Sequence, residues 1–225
     1  ILCNKETSDK IKCNYHGRVF DLKGSILSAP GFEGAKKFPS KKDNLEKIKL
    51  KNWKDFIFVS LKPKINIEKI FNDIELRLGW FPFNELRYNK FNSCEYTINA
   101  HWSLYCENYL EGFHVPFVHK GLKKDINLNT YKTVLLENGV LQYTESKKKK
   151  NQLSVPKGFS EYKKNIYAYY YWIFPNIMLN FYDWGLSMNI ISPLEKNKTR
   201  IKFLSFPKKG MVQPKGISSG INIIE

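Results

Sequence analysis

Two short segments carry residue types whose spacing could bind a transition metal. The first runs Glu107-Asn108-Tyr109-Leu110-Glu111-Gly112-Phe113-His114-Val115-Pro116-Phe117-Val118-His119. Asn108, Glu111 and His114 recur at every third position, which predicts one shared helix face. Pro116 stops a regular helix from running on through His119, so the backbone can bend and let both imidazoles converge. Two histidines with open positions beside them suit a mononuclear Fe(II) once a carboxylate completes the triad. A polar stripe facing water is the plain alternative. Against it stand Tyr105, Tyr109, Leu110, Phe113, Val115, Phe117 and Val118, which predict a buried setting. A buried Asn, Glu or His must find partners or ligate something. The second segment, Lys12-Cys13-Asn14-Tyr15-His16-Gly17, places a thiol and an imidazole three positions apart, and Gly17 lets the backbone turn closely around a metal. Half of a zinc site, or a coincidence on a surface loop, would read the same way.

The elements that must position these residues follow from periodicity. Residues 1–63 are rich in short strands and turns. Val19-Phe20-Asp21-Leu22 meets a hairpin-like turn at Lys23-Gly24, Ser28-Ala29-Pro30-Gly31 is another turn, and Trp53–Leu61 alternates into a buried strand ended by Lys62-Pro63. A domain boundary is placed there. Ile67, Ile70, Phe71, Ile74 and Leu78 predict an amphipathic helix, Glu95–Trp102 a strand, and residues 103–119 a return to helical spacing. Tyr131–Glu137, Val140–Ser146, Ile166–Phe174, Met178–Tyr182, Leu186–Ser192 and Thr199–Phe206 then read as successive strands of an antiparallel sheet. The predicted architecture is α+β: a small β domain over 1–63 and an α+β domain over 64–225.

Composition narrows the function classes. Thirty-seven basic against 21 acidic residues give a formal charge of +16, but only Arg18, Arg77, Arg87 and Arg200 are arginine. The lysines are scattered among asparagines and isoleucines, and the one dense run, Lys147–Lys150, reads as a solvated loop. A nucleic-acid role is therefore not expected, although a basic surface would attract an acidic electron-transfer partner. No run of eighteen apolar residues exists, so no membrane helix is expected. Cys3, Cys13, Cys94 and Cys106 lack the density of a secreted disulfide scaffold, which points to a reducing, cytoplasmic setting. A zinc-binding nucleic-acid module fails because Cys94, His101 and Cys106 form no second pair with finger spacing. Since the chain begins at Ile1 and not Met, further residues are expected before it.

The stretch CNYHGRVFDLKGSI resembles the second half of a Rieske motif, and the histidine segment matches N-x-x-[DE]-x-x-H-x-x-x-x-H over its whole length. The similarity extends over nearly the whole chain, through ENYLEGFHVPFVHKGL and FPNIMLNFYDWGLSMNIISPL. It resembles the alpha subunit of Rieske non-haem iron oxygenases, nearest the choline monooxygenase-like branch. The resemblance implies a partial Rieske domain over 1–63 and a helix-grip catalytic domain over 64–225. It implies Cys13 and His16 as ligands of a [2Fe–2S] cluster, whose upstream Cys-x-His pair is expected just before Ile1, with Leu2-Cys3 matching the sequence that follows such a pair. It implies His114 and His119 as ligands of a mononuclear Fe(II), with Asn108 and Glu111 in the catalytic set. Glu111 takes the place of the acid that bridges the iron-ligand histidine to the cluster histidine of a neighbouring subunit. Glu at this position is commoner among relatives acting on quaternary ammonium compounds. The third iron ligand, an Asp, is expected just past Glu225, after the lead-in at residues 220–225; Asp183, in a Tyr-Asp-Trp-Gly turn, is not nominated. Implied partners are an NAD(P)H-dependent reductase or ferredoxin, O₂, a small organic substrate, and further subunits in a homotrimer or α3β3 assembly. The implied reaction is monooxygenation or N-demethylation of a quaternary amine. Aromatic-ring dihydroxylation or O-demethylation, and a non-catalytic Rieske electron carrier, are the alternatives. Tyr169, Tyr171, Trp172, Phe174, Phe181, Tyr182 and Trp184 are candidates for a cation cage, of which at most two or three are expected to line a pocket and the rest to fill the core.

Overall fold

A computed structural model describes residues 9–148 and 150–211. These form two compact units, the first reaching to Pro63 and the second comprising residues 64 onward together with Trp53–Asp55. In the first unit, β1 (Lys10–Lys12), β2 (Val19–Asp21) and β3 (Ile26–Ser28) form an antiparallel sheet in that order. The β2–β3 turn forms where the sequence predicts it. The Asp21 carboxylate accepts from Lys23 N at 2.9 Å and Ser25 N at 2.7 Å, and Gly24 takes φ +84°, which only glycine adopts without strain.

The predicted single buried strand at 53–61 is instead a hairpin of β4 (Lys49–Trp53) and β5 (Phe56–Ser60), broken at Lys54-Asp55 with Lys54 at φ +50°. Ile57, Val59 and Leu61 are exposed. A two-stranded ribbon cannot cover both of its faces, so apolar alternation here marks a ribbon with a bare side.

The second unit is built on one antiparallel sheet. After α1 (Glu68–Leu78) come β6 (Asn89–Ile98), α2 (Trp102–Leu110), α3 (Val115–Val118), α4 (Lys120–Asp125), β7 (Ile126–Leu136), β8 (Gly139–Ser146), β9 (Leu153–Ser154), β10 (Asn165–Ile173), β11 (Ile177–Tyr182), β12 (Gly185–Glu195) and β13 (Lys198–Pro207). The sheet order is β6-β13-β12-β11-β10-β8-β7, with β9 paired to β10. All six strands predicted after residue 130 are present. On β13 burial alternates strictly, Thr199, Ile201, Phe203, Ser205 and Pro207 pointing inward. No helix of the described residues is long and apolar enough to cross a membrane.

The two sheet faces carry different helices. On one, α1 buries Ile70, Phe71, Ile74 and Leu78, while Phe81 and Phe83 meet Phe181 edge-on at 5.6 and 5.9 Å. Trp53 stacks on Phe71 at 4.7 Å. Arg77 on this face joins Asp73 and the buried Glu161, to which the Tyr171 and Tyr169 hydroxyls donate at 2.8 and 3.0 Å. On the other face, α2 packs Cys106 against Met178 and Ile191, flanked by Trp102, Tyr105, Tyr109 and Trp172.

Two predicted boundaries move. The strand expected over 95–102 ends at Ile98, because His101 accepts from Ser103 N and caps α2. The helical spacing read across 103–119 is interrupted at Glu111, whose backbone is extended at φ −125°, ψ 155°. Asn108, Glu111 and His114 therefore do not share a helix face. The Glu111 carboxylate accepts from the backbone N–H groups of Phe113 and His114 (3.2 Å for the latter), and these local bonds replace the helical ladder.

Candidate metal centre

The break after α2 brings the histidines together. Glu111 leaves the helix end in an extended conformation, Gly112 and Phe113 turn the chain, and His114 opens the four-residue α3, with Pro116 in its first turn. His119 lies where α3 gives way to α4. Its N–H donates to Val115 O at 3.1 Å, and its own carbonyl accepts from Lys123 N at 2.9 Å. Both ends of the residue are thus fixed in the backbone, which sets the direction of the ring.

Within this turn Glu111 Oε1 is hydrogen-bonded to His114 Nδ1, and the rings of His114 and His119 lie 4.9 Å apart at 70°. A carboxylate on Nδ1 holds the proton there and leaves Nε2 with a free lone pair, the arrangement of a metal-ligating histidine. Two imidazoles bound cis to one ion by ~2.1 Å bonds put their ring centroids roughly 5 Å apart, so the observed pair fits a shared metal. Burial, aided by the neighbouring His114 and opposed by Glu111, holds His119 below the ordinary imidazole pKa, which keeps it neutral and able to ligate. Burial raises the Glu111 carboxyl, but the hydrogen bonds from the His114 side chain and backbone outweigh it and leave the group below its ordinary value. Among the described residues no three His, Cys, Asp or Glu side chains converge as a complete ligand set.

The setting is only partly the buried one predicted. Val115 is buried with Ile126, Tyr167, Ala168, Tyr182 and Trp184, but Phe113 is 86% and Phe117 78% exposed, and Val118 and Asn108 are exposed as well. The apolar residues of this segment alternate between wall and surface because the chain turns twice within nine positions. The seven aromatic candidates divide by face. Tyr169, Tyr171 and Phe181 belong with α1, whereas Trp172, Tyr182 and Trp184 belong with α2–α4, and Phe174 follows β10 half-exposed. Tyr167 was not among them. A β-bulge between Ile166 and Ala168 places it in the same cluster as Ala168, Tyr182 and Trp184. Strand alternation alone would have sent it to the other side.

In the first unit, Cys13 and His16 sit in the predicted tight loop. Cys13 N donates to Arg18 O at 2.8 Å, Gly17 N to Cys13 O at 2.9 Å, and Gly17 takes φ +69°. Backbone N–H groups of Tyr15 and then His16 donate to the thiol and lower its pKa, favouring the thiolate a metal needs. His16 is exposed, with Tyr15 packed edge-on at 3.8 Å. Cys94 and Cys106 belong to the second unit and, like Cys13, are free thiols. Leu2-Cys3 and residues 220–225 lie outside the described residues.

The antiparallel sheet carries helices on both faces, and His114 and His119 stand at the two ends of the four-residue α3. The ring hydroxylating alpha subunit (catalytic domain) family matches residues 84–218, more than half of the chain, and the chain belongs to that family. It is 27% identical to a chloroplastic choline monooxygenase of Arabidopsis thaliana over 202 residues, covering 85% of this chain and 46% of that protein. It is 24% identical to the carnitine monooxygenase oxygenase subunit of Escherichia coli, covering 76% of this chain and 44% of that one. The chain thus spans about half the length of the curated relatives it matches. In fold it resembles the quaternary ammonium Rieske monooxygenase CntA, with a TM-score of 0.73 at 15% identity over 100% of this chain and 63% of that one. It also resembles naphthalene 1,2-dioxygenase from Rhodococcus, with a TM-score of 0.67 at 16% identity over 96% and 58%.

Proposed function

We propose that this chain supplies the iron-binding core, and part of the Rieske domain, of a terminal oxygenase that hydroxylates a quaternary amine. The observation that carries the reading is the Glu111–His114 hydrogen bond with the His119 ring 4.9 Å away. His114 and His119 would hold Fe(II), which when bound supplies the activation of O₂ by delivered electrons. Glu111 fixes the His114 tautomer and, as the family resemblance implies, links that imidazole to a cluster ligand of a neighbouring subunit. Asn108, exposed on the last turn of α2, would act from the rim of the same site. Val115, in the segment between the histidines, is buried with Tyr167, Tyr182 and Trp184, an aromatic cluster on the same side of the sheet. Aromatic faces attract a trimethylammonium group, and both the relatives and Glu111 favour such a substrate.

Cys13 and His16 would hold one side of a [2Fe–2S] cluster within a domain over 1–63, with 64–225 as the catalytic domain. Electrons would come from an NAD(P)H-dependent reductase or ferredoxin, and a trimer would bring the cluster of one subunit to the iron of the next. The free thiols suit a reducing, cytoplasmic compartment.

Glu111→Gln in the full-length protein tests this reading. The amide preserves size but presents only one acceptor oxygen to His114 and the turn amides. Oxygenation of the accepted substrate is expected to fall about 10–100-fold, with reduction of the cluster by its reductase unchanged. Unchanged turnover would exclude Glu111 from the electron path. A substrate panel of choline, betaines and carnitine against aromatic hydrocarbons, read by incorporation of isotopically labelled dioxygen, decides the substrate class. Labelled product from the aromatic compounds alone would replace the quaternary-amine reading with ring dioxygenation.

A further inference from the structure

The turn that carries Glu111 and His114 has little packing of its own. Of residues 111–118 only Val115 is buried, and Phe113 and Phe117 face outward. Yet the carboxylate must stay on His114 Nδ1 for the pair to work. What holds it is found on β7 and β8, outside the histidine motif.

α2 ends at Leu110, so the carbonyls of its last turn have no partner inside the helix. The carbonyl of Tyr109 accepts from Gln142 Nε2 at 2.7 Å. Gln142, 1% exposed on β8, accepts with Oε1 the hydroxyl of Tyr131 on β7 at 2.8 Å. Both ends of this buried amide are therefore committed. Burial raises the Tyr131 phenol above its ordinary pKa, so it stays protonated and able to donate. The Tyr131 ring lies flat against the turn itself: a Cβ on Gly112 would stand 3.1 Å from its Cζ and 3.2 Å from its Cε1. The same helix end is tied to the sheet once more, by Tyr109 Oη donating to Asn180 Oδ1 at 2.8 Å.

We propose that Tyr131 and Gln142 are positioning residues that brace the end of α2 and the Glu111-Gly112 turn against the sheet, and so keep the Glu111 carboxylate on His114. Neither residue needs to touch substrate or metal. A side chain at Gly112 would crowd the Tyr131 ring, which would have to give by a few tenths of an ångström. This rests on the proposed iron site for its purpose, but the geometry it predicts does not depend on that site.

Amide hydrogen exchange on the full-length protein tests the brace directly, with Tyr131→Phe removing one hydroxyl and Gln142→Met removing both hydrogen bonds. The amides of Phe113 and His114, which donate to Glu111, are expected to exchange about tenfold faster in both variants, with β10–β12 unchanged. A Co(II) titration of the same proteins is expected to show about tenfold weaker binding at the histidine pair, the scale set by loss of an outer-sphere partner. Unaltered exchange at 113–114 would overturn the proposal, as would faster exchange spread evenly along β7 and β8, which marks a residue that only packs the sheet. A wild-type protein that binds no Co(II) would refute the iron-site reading, and the exchange result would still decide the brace.

Discussion

Replacing His119 with alanine is expected to lower oxygenase turnover by at least ~10³-fold while leaving the fold and the reduction of the cluster intact. The magnitude follows from losing the proposed metal, which would lower the barrier by several kcal/mol, at 1.36 kcal/mol for each factor of ten. The backbone at this position is fixed by bonds that alanine also makes, the N–H to Val115 O and the carbonyl from Lys123 N. The half-buried ring leaves only a small gap, so the melting temperature should move little. Its pKa adds a second readout. A histidine held below its ordinary value stays neutral as pH falls through that value, so proton competition for the metal begins lower than for a free imidazole. Proton competition at His119 should therefore set in at a lower pH than at a free imidazole, as a Co(II) titration at several pH values would show. A decline centred above the ordinary imidazole midpoint would contradict the assignment of His119 as a buried, neutral ligand.

The largest loss of stability is expected on the opposite face, from Arg77→Met. Arg77 Nε meets Asp73 Oδ1 at 3.1 Å and its Nη1 meets Glu161, whose side chain is 3% exposed. Glu161 also accepts from Tyr169 Oη and Asp73 from Tyr171 Oη, so the guanidinium compensates two carboxylates that tie α1 to β10. Burial alone would lower the Arg77 pKa, and Asp73 and then Glu161 more than reverse it. Removing the cation leaves Glu161 buried without its counter-charge, at a cost of about 3–5 kcal/mol. For a domain of this size that is a fall in melting temperature of roughly 10 °C or more. The double variant Arg77→Met, Glu161→Met should recover part of the loss, because it removes the stranded charge as well. A single variant that loses under about 1 kcal/mol would mean that water reaches the cluster.

Much of this architecture is legible in the amino-acid sequence because burial imposes a period. The strands β8, β10, β11, β12 and β13 and the apolar stripe of α1 are packed against the core: β13 alternates strictly, β10 and β11 are buried along most of their length, and α1 keeps helical spacing. The approach of the two imidazoles is expected from their spacing, and the rings do lie 4.9 Å apart. What escapes is decided by local hydrogen bonds and by neighbours distant in sequence. Asn108, Glu111 and His114 keep a three-residue period that reads as helix past Leu110, whereas the Glu111 carboxylate's bonds to the Phe113 and His114 amides take the place of the helical ladder. The β4–β5 ribbon alternates like a buried strand, yet Ile57 and Val59 are exposed. Tyr167 reaches the α2–α4 side through a one-residue bulge that periodicity does not record. Tyr131 and Gln142 read as ordinary strand residues, since their importance lies in meeting Tyr109 and Gly112 across the fold. The family match covers these residues as well, but it names none of them.

The most direct test of the iron assignment is the analytical ratio of iron to inorganic sulfide in the purified full-length protein, taken beside its His114→Ala, His119→Ala double variant. A [2Fe–2S] cluster alone holds equal amounts of the two. The wild type is expected to carry iron in excess of sulfide and the double variant to show equality, with the same cluster absorption in both. Equal iron and sulfide in the wild-type protein, or an excess that survives removal of both histidines, would show that His114 and His119 do not hold an iron centre.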